Sequence, residues 1–179
     1  MVRAVLLHLE KNEGGFIMLK LTKPPYADTK VDAEKTQQEI TQLLRKYGVS
    51  QVNWQIDYDT EQVQLDFVIE YTKQEDQAIH KIAVRVKPPM FAASRRTWDS
   101  KAGRYKKEEM ANWAQSMRLL LYWIKAKLEA VSFGLNSVEK EFLSDIVTTL
   151  PDGSRRTIWD MISQEIQNNN LMIEYRGGS

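Results

Sequence analysis

The segment from Arg95 to Lys107 concentrates the residue types that bind polyanions. It contains six basic residues and one acidic residue, Asp99, with Trp98 and Tyr105 interleaved and Phe91 just before it. Basic groups neutralise phosphates and release counterions, and aromatic rings stack on exposed bases. The segment therefore indicates a nucleic-acid contact made by Arg95, Arg96, Trp98, Lys101, Arg104, Tyr105, Lys106 and Lys107.

Two other interpretations of the same segment stay open. It could be a solvated loop whose aromatic residues fix it to the domain, with Glu108 and Glu109 offsetting part of the charge. A basic loop could also bind an acidic protein partner.

Catalytic and metal-binding signatures are absent from the sequence. Cysteine does not occur, which excludes disulfides, thiolate metal sites and a cysteine nucleophile. The two histidines, His8 and His80, have no ligand or triad pattern around them, and His80 is interpreted as a plain strand residue. There is no P-loop, dinucleotide fingerprint or nucleophile elbow, so we expect neither metal nor cofactor.

Five carboxylates cluster around a predicted hairpin, and paired carboxylates can hold catalytic metal ions. Three of them, Asp57, Asp66 and Glu70, alternate with apolar residues, which places them on a solvated strand face. An enzyme remains the third option if they converge on a cleft. The five are Asp57, Asp59, Glu61, Asp66 and Glu70.

The elements that position these residues can be predicted from hydrophobic periodicity. Apolar residues at helical spacing predict a helix over 32–47 that Gly48 ends, with Asp32, or Thr36 with Glu39, as its cap. Alternation predicts strands over 51–58 and 63–71 and a third strand ending at Pro88-Pro89. Residues 90–107 are predicted to be a long polar loop.

Three more helices are predicted after that loop. A long one runs from about 108 to 133, apolar on most sides, and is predicted to be buried between the sheet and other helices or between subunits. Trp113 and Trp123 are expected in its core face. A shorter helix over 137–147 buries Val138, Phe142, Leu143 and Ile146, and a last one runs from Thr157, which forms a capping box with Asp160, to about Gln167.

The predicted fold class is therefore a two-layer α+β domain: a helix, a three-stranded antiparallel meander, a long helix and two short C-terminal helices. We expect an N-terminal arm or leader over 1–27, a single domain over 28–167 and a flexible tail over 168–179. The chain has 179 residues, 42% of them hydrophobic, with 25 basic and 24 acidic residues. No apolar run approaches the roughly 18–20 residues of a membrane span, so we expect no membrane partner and a cytoplasmic location.

Several stretches resemble an uncharacterised family of small phage and prophage proteins over roughly residues 28–165. The resemblance implies expression inside a bacterial host cell and carries no catalytic residues. It rests on residues 35–40 with Leu43-Leu44 and Tyr47-Gly48, on 118–121 with 124–131, on 139–143 and on 150–153.

The predicted order of helix, three strands and helix is also similar to that of double-stranded-RNA-binding domains. Lys106-Lys107, placed by the prediction at the mouth of the long helix, resembles the phosphate-contacting lysines of such domains. The chain departs from that pattern in its longer loop, its longer second helix and its two extra helices.

Two functions follow as hypotheses. The first is a non-enzymatic accessory protein of phage type that binds nucleic acid through the basic, aromatic-containing loop, helped by the solvated sheet face. The alternative is a protein-interaction module, an inhibitor or adaptor for a host or phage protein. Because the long helix is apolar on more than one side, this module would also form a homo-oligomer.

Overall fold

The computed structural model of the chain describes residues 9–11, 17–19, 25–73 and 77–168, without the side chains of residues 9–11, 17–19, 95 and 108. Within these ranges it confirms an α+β protein with four α-helices and a three-stranded antiparallel sheet. The helices are α1 Ala33–Lys46, α2 Trp113–Ser132, α3 Val138–Glu141 and α4 Ile158–Gln167. The strands are β1 Leu9–Lys11, β2 Ile17–Leu19, β3 Gln51–Asp57, β4 Gln62–Thr72, β5 Ile79–Val86, β6 Ala92–Asp99, β7 Arg104–Ala111, β8 Val147–Thr149 and β9 Arg155–Thr157.

Both predicted terminal segments lie partly outside the described residues. In the N-terminal arm β1 pairs with β2 antiparallel. From Pro25 onward the chain contacts α2: the Pro25 carbonyl accepts a hydrogen bond from Gln115 at 2.8 Å, and the Tyr26 ring stacks on Tyr122 with centroids 4.9 Å apart. Residues 169–179 of the predicted tail lie outside the described part.

The hydrophobic core lies between α1, α2 and one face of the sheet, whose strand order is β3-β4-β5. Alternate residues of β4 from Val63 to Ile69 are buried, as are Val84 and Val86 opposite them on β5. This confirms the predicted period of two for β4 and β5. On β3 the pattern weakens toward the end of the strand: Val52 and Trp54 are half-buried, but Ile56 is 37% exposed, and Tyr58 just past the strand is 75% exposed.

Helix α1 presents Ile40 and Leu44 to this core, and both are fully buried. Gly48 ends the helix in the left-handed conformation at φ +80°, as predicted. The alternative capping box at Thr36 is wrong, because Thr36 lies inside the first turn and its hydroxyl donates to the Asp32 carbonyl. Glu39 instead forms an ion pair with Arg118 of α2.

Helix α2 begins at Trp113, five residues later than predicted. The Asn112 side chain caps it by accepting a hydrogen bond from the Gln115 amide at 3.2 Å, and the residues before Asn112 belong to a strand. Lys125 and Glu129 form the predicted i,i+4 pair at 3.7 Å. No described helix, α2 included, is long and apolar enough to cross a membrane.

The apolar sides of α2 contact different neighbours in the same chain. Ile124 and Leu128 are buried in the core, the Tyr122 ring contacts Tyr26, and Trp123 lies edge-on to Phe142 at 6.4 Å. Tyr122 is nevertheless 42% exposed, so contacts within the same chain leave part of the apolar surface of this helix in solvent.

The segment after α2 differs from the predicted helix over 137–147. Helix α3 is one turn long, a 3-10 turn follows at Leu143–Asp145, and β8 then pairs with β9 around the predicted turn at 151–153. Phe142 is fully buried as predicted, whereas Leu143 is 52% exposed, so its predicted burial is wrong. The capping box of Thr157 and Asp160 at the start of α4 is confirmed.

Phe142 joins this C-terminal segment to the core. Its ring is edge-on to Phe67 at 5.9 Å and lies 5.3 Å from the Lys127 ammonium. We expect Phe142→Ala to lower the free energy of unfolding by about 3–5 kcal/mol, because it leaves a cavity. Urea unfolding followed by tryptophan fluorescence measures this. The adjacent Leu143→Ala is the control, and it should change the free energy by about 0.5 kcal/mol or less; equal losses would contradict the burial.

Candidate functional site

The basic segment is a β-hairpin rather than the predicted polar loop. Strand β6 pairs with β7 antiparallel from Ala92 opposite Ala111 to Asp99 opposite Arg104, and we call residues 92–111 the ribbon. None of its described side chains is buried. With both faces in solvent the ribbon lacks the apolar alternation that reveals a half-buried strand, which explains why the sequence pattern indicated a loop.

The tip of the ribbon is a four-residue loop, 100–103, with the residue types that such turns require. The Asp99 carboxylate accepts hydrogen bonds from the amides of Lys101 and Ala102 at 3.0 and 3.1 Å. Gly103 then adopts φ +61°, a conformation that costs other residues strain. Asp99 and Gly103 are thus the sequence signal that could have revealed the hairpin.

The base of the ribbon is fixed to the start of α2. The amide of Asn112 donates to the Phe91 carbonyl at 2.6 Å, and the amide of Phe91 donates to the hydroxyl of the buried Ser116 at 3.1 Å. Beside it the amide of Ala111 donates to the carboxylate of Glu61 at 3.3 Å. The ribbon therefore leaves the domain from a hydrogen-bonded base, next to the β3–β4 turn.

The register sorts the predicted site residues onto two faces of the ribbon. Side chains two apart in a strand, and those directly opposite, share a face. One face carries the exposed residues Arg96, Trp98, Tyr105 and Lys107, and we call it the aromatic face. The other carries Thr97, Asp99, Arg104 and Lys106. Lys101 is exposed at the tip, and the side chain of Arg95 lies outside the described part.

Trp98 and Tyr105 form a directly opposed pair on the aromatic face. Their ring centroids are 5.0 Å apart and the planes meet at 69°, an edge-to-face contact. Trp98 is nevertheless 57% exposed and Tyr105 68% exposed. The two rings therefore support each other while most of their surface faces solvent.

Cations dominate the outer half of the ribbon. Residues 96–107 contain five basic residues and a single acid, Asp99, whose carboxylate accepts a hydrogen bond from a turn amide. Arg96 lies directly opposite Lys107, a like-charge pair that destabilises a sheet. Among the side chains that the structure describes, no carboxylate forms an ion pair with either of them. The acids Glu108 and Glu109 lie nearer the base, so positive charge is concentrated toward the tip.

The carboxylates predicted to cluster around the hairpin are spread along β4, from the β3–β4 turn to Glu70 near the other end of the strand, and have structural partners. Asp66 pairs with Arg85 at 2.9 Å, and Glu70 accepts hydrogen bonds from Lys81 at 2.9 Å and Ser50 at 3.0 Å. The latter bonds lower the pKa of Glu70. Asp57 accepts two turn amides, which also lowers its pKa. The described residues hold no group of three or more side chains that could bind a metal ion.

The remaining candidates have structural roles as well. The His80 ring stacks on Tyr71 at 5.6 Å on adjacent strands, while His8 lies outside the described residues. An open cleft of about 940 Å³ lies beside α3, between Tyr71 and Leu143. On its wall Lys73 forms an ion pair with Glu139 at 2.8 Å, and this hydrogen bond lowers the pKa of Glu139 to about 2. These groups stabilise the wall of the cleft.

Comparison with protein-family models, curated proteins and solved structures finds no match for this chain.

The predicted similarity of Lys106-Lys107 to the phosphate-contacting lysines of double-stranded-RNA-binding domains is wrong in its placement. Lys106 and Lys107 lie within β7, separated from the first residue of α2 by the end of that strand and by Asn112, and so not at the mouth of the helix.

Because no described ribbon side chain is buried, the ribbon should open without unfolding the core. Gly103→Ala adds a Cβ that meets no neighbouring atom, so its cost is the left-handed conformation, roughly 1–2 kcal/mol. We expect faster amide hydrogen exchange in β6 and β7 and an unchanged urea midpoint for the whole protein. Ser100→Ala is the matched control in the same loop. A shifted global midpoint in Gly103→Ala would show that ribbon and core unfold together.

Proposed function

We propose that this protein binds nucleic acid through the ribbon, as a non-enzymatic accessory protein of phage or prophage type. The observation that supports this most is the ribbon itself. It presents a cation-rich outer half with both faces in solvent, on a chain whose overall charge is only +1. Cations clustered in this way attract a polyanion locally, where the chain as a whole would not.

The arrangement favours contacts to phosphates over recognition of sequence. Arg96, Lys107 and Arg104 are exposed and belong to two faces of one ribbon, so they can contact phosphates from several directions. The solvated sheet face contributes less than the sequence suggested, because its cations Arg85 and Lys81 pair with Asp66 and Glu70. Binding is therefore assigned to the ribbon.

Charge removal tests this proposal. In the variant with glutamine at four ribbon positions, the slope of log K against log salt should fall by about 3, because each lost phosphate contact reduces it by about 0.7–0.9. Fluorescence anisotropy with labelled DNA and RNA across a salt series measures the slope. The four substitutions are Arg96→Gln, Arg104→Gln, Lys106→Gln and Lys107→Gln.

The matched control removes the same charge from the exposed side of another element. Its substitutions in and before α1 are Lys30→Gln, Lys35→Gln, Arg45→Gln and Lys46→Gln. This control should bind like the parent protein. Equal loss in both variants, or no binding by the parent at low salt, would refute the ribbon as the binding site.

A protein-interaction module is the second candidate, and α4 supports it. Its apolar residues Trp159, Ile162 and Ile166 share one side of the helix and are 37–46% exposed. If copies of the chain associate through this side, sedimentation velocity should show a larger species as concentration rises. Ile162→Lys should abolish that species, while Gln164→Lys on the opposite, exposed side should not. A monomer at every concentration would exclude self-association.

A further inference from the structure

We infer that the ligand of the ribbon is a single-stranded nucleic acid, whose unpaired bases stack on Trp98 and Tyr105 while its phosphates contact Arg96 and Lys107. This inference rests on the proposed function and specifies its ligand. Two exposed aromatic rings and two cations lie on the same face of a ribbon that has no core of its own, and this placement supports the inference.

The exposure of the rings is the first argument. Two large aromatic side chains that are 57% and 68% exposed keep apolar surface in water, and the domain core gains nothing from them. Their edge-to-face contact occupies one side of the pair and leaves other ring surface open. A base has an apolar π-face that can cover this surface, whatever its sequence.

The spacing along the ribbon is the second argument. Arg96 precedes Trp98 by two residues and Lys107 follows Tyr105 by two, so the cations form the next pair on the same face, about 6.7 Å away. Long basic side chains can therefore contact the backbone of a strand whose bases lie on the rings. Glu109, the next residue of β7 on this face, limits the contact to the outer half of the ribbon.

Duplex nucleic acid exposes much less base surface on which Trp98 and Tyr105 can stack. In a duplex the bases stack on each other and present only their edges to the grooves, so a base must be extruded before it can stack on a side chain. A two-stranded ribbon does fit the major groove by size. In that arrangement, however, Trp98 and Tyr105 would contribute no stacking, and only the charges would act.

The experiment compares four labelled 15-mers in anisotropy titrations: oligo-dT, oligo-rU, a mixed-sequence DNA duplex, and a strand of abasic sites that has the phosphates without the bases. We expect the dT and rU strands to bind more tightly than the duplex and the abasic strand. The dT and rU arms show whether the sugar matters.

The main variant is the double substitution Trp98→Thr/Tyr105→Thr, because it removes both rings and replaces the stabilisation of the aromatic pair with a cross-strand threonine pair. Hydrogen exchange of β6 and β7 verifies that the ribbon is retained. Loss of stacking should weaken binding to dT by about 5- to 150-fold per ring, with an unchanged salt slope and unchanged abasic-strand affinity. Arg96→Gln/Lys107→Gln should instead lower the slope by about 1.4. Phe133→Ala, which removes an aromatic ring that is 76% exposed elsewhere, should leave all affinities unchanged.

The outcomes separate the two claims. Equal binding of dT, duplex and abasic strand, with no effect of the threonine pair, would overturn the single-strand inference and leave nucleic-acid binding intact. Binding that ignores the charge substitutions would overturn the proposed function as well. Binding of poly-glutamate as tight as that of dT would assign the ribbon to an acidic protein partner and overturn both.

Discussion

Two buried polar side chains at the start of α2 constrain how the rest of the chain is arranged. Gln115 is 3% exposed and Ser116 is fully buried, and a buried polar group without a partner costs about 1–3 kcal/mol. Ser116 bonds the amide of Phe91 at the base of the ribbon, while Gln115 bonds the carbonyl of Pro25 and the side chain of Asn112. The N-terminal approach, the ribbon and the long helix are therefore joined at one point.

The parts that meet at this junction are stabilised by different interactions. The core of α1, α2 and the sheet is stabilised by apolar burial, with interhelical ion pairing between Glu39 and Arg118 at its surface. The ribbon depends on strand hydrogen bonds, one aromatic pair and its turn. An isolated hairpin is marginally stable in water, so the fixed base is what lets the ribbon persist.

The sequence predicts those elements whose residues alternate between core and solvent. The period of two in β4 and the capping pair Thr157 and Asp160 both identify real elements. The ribbon does not show this alternation because neither face is buried, and the predicted start of α2 is too early because Glu108 and Glu109 of β7 resemble the acidic first turn of a helix. The predicted burial of Leu143 is wrong because α3 ends after one turn, before this residue. The site residues could be named from composition, whereas their division between two faces needed the register.

The opposition of Arg96 and Lys107 has a thermodynamic consequence for any ligand. Two like charges held across a strand pair repel each other, so the unliganded ribbon folds against an electrostatic cost that falls as salt screens it. A phosphate bound between them removes the same repulsion. Folding and binding are then linked. An anion that stabilises the folded ribbon by a given free energy binds the folded ribbon more tightly by the same amount. Salt consequently has two opposite effects: it weakens the contact between the phosphate and the two cations, and it stabilises the folded ribbon that makes this contact.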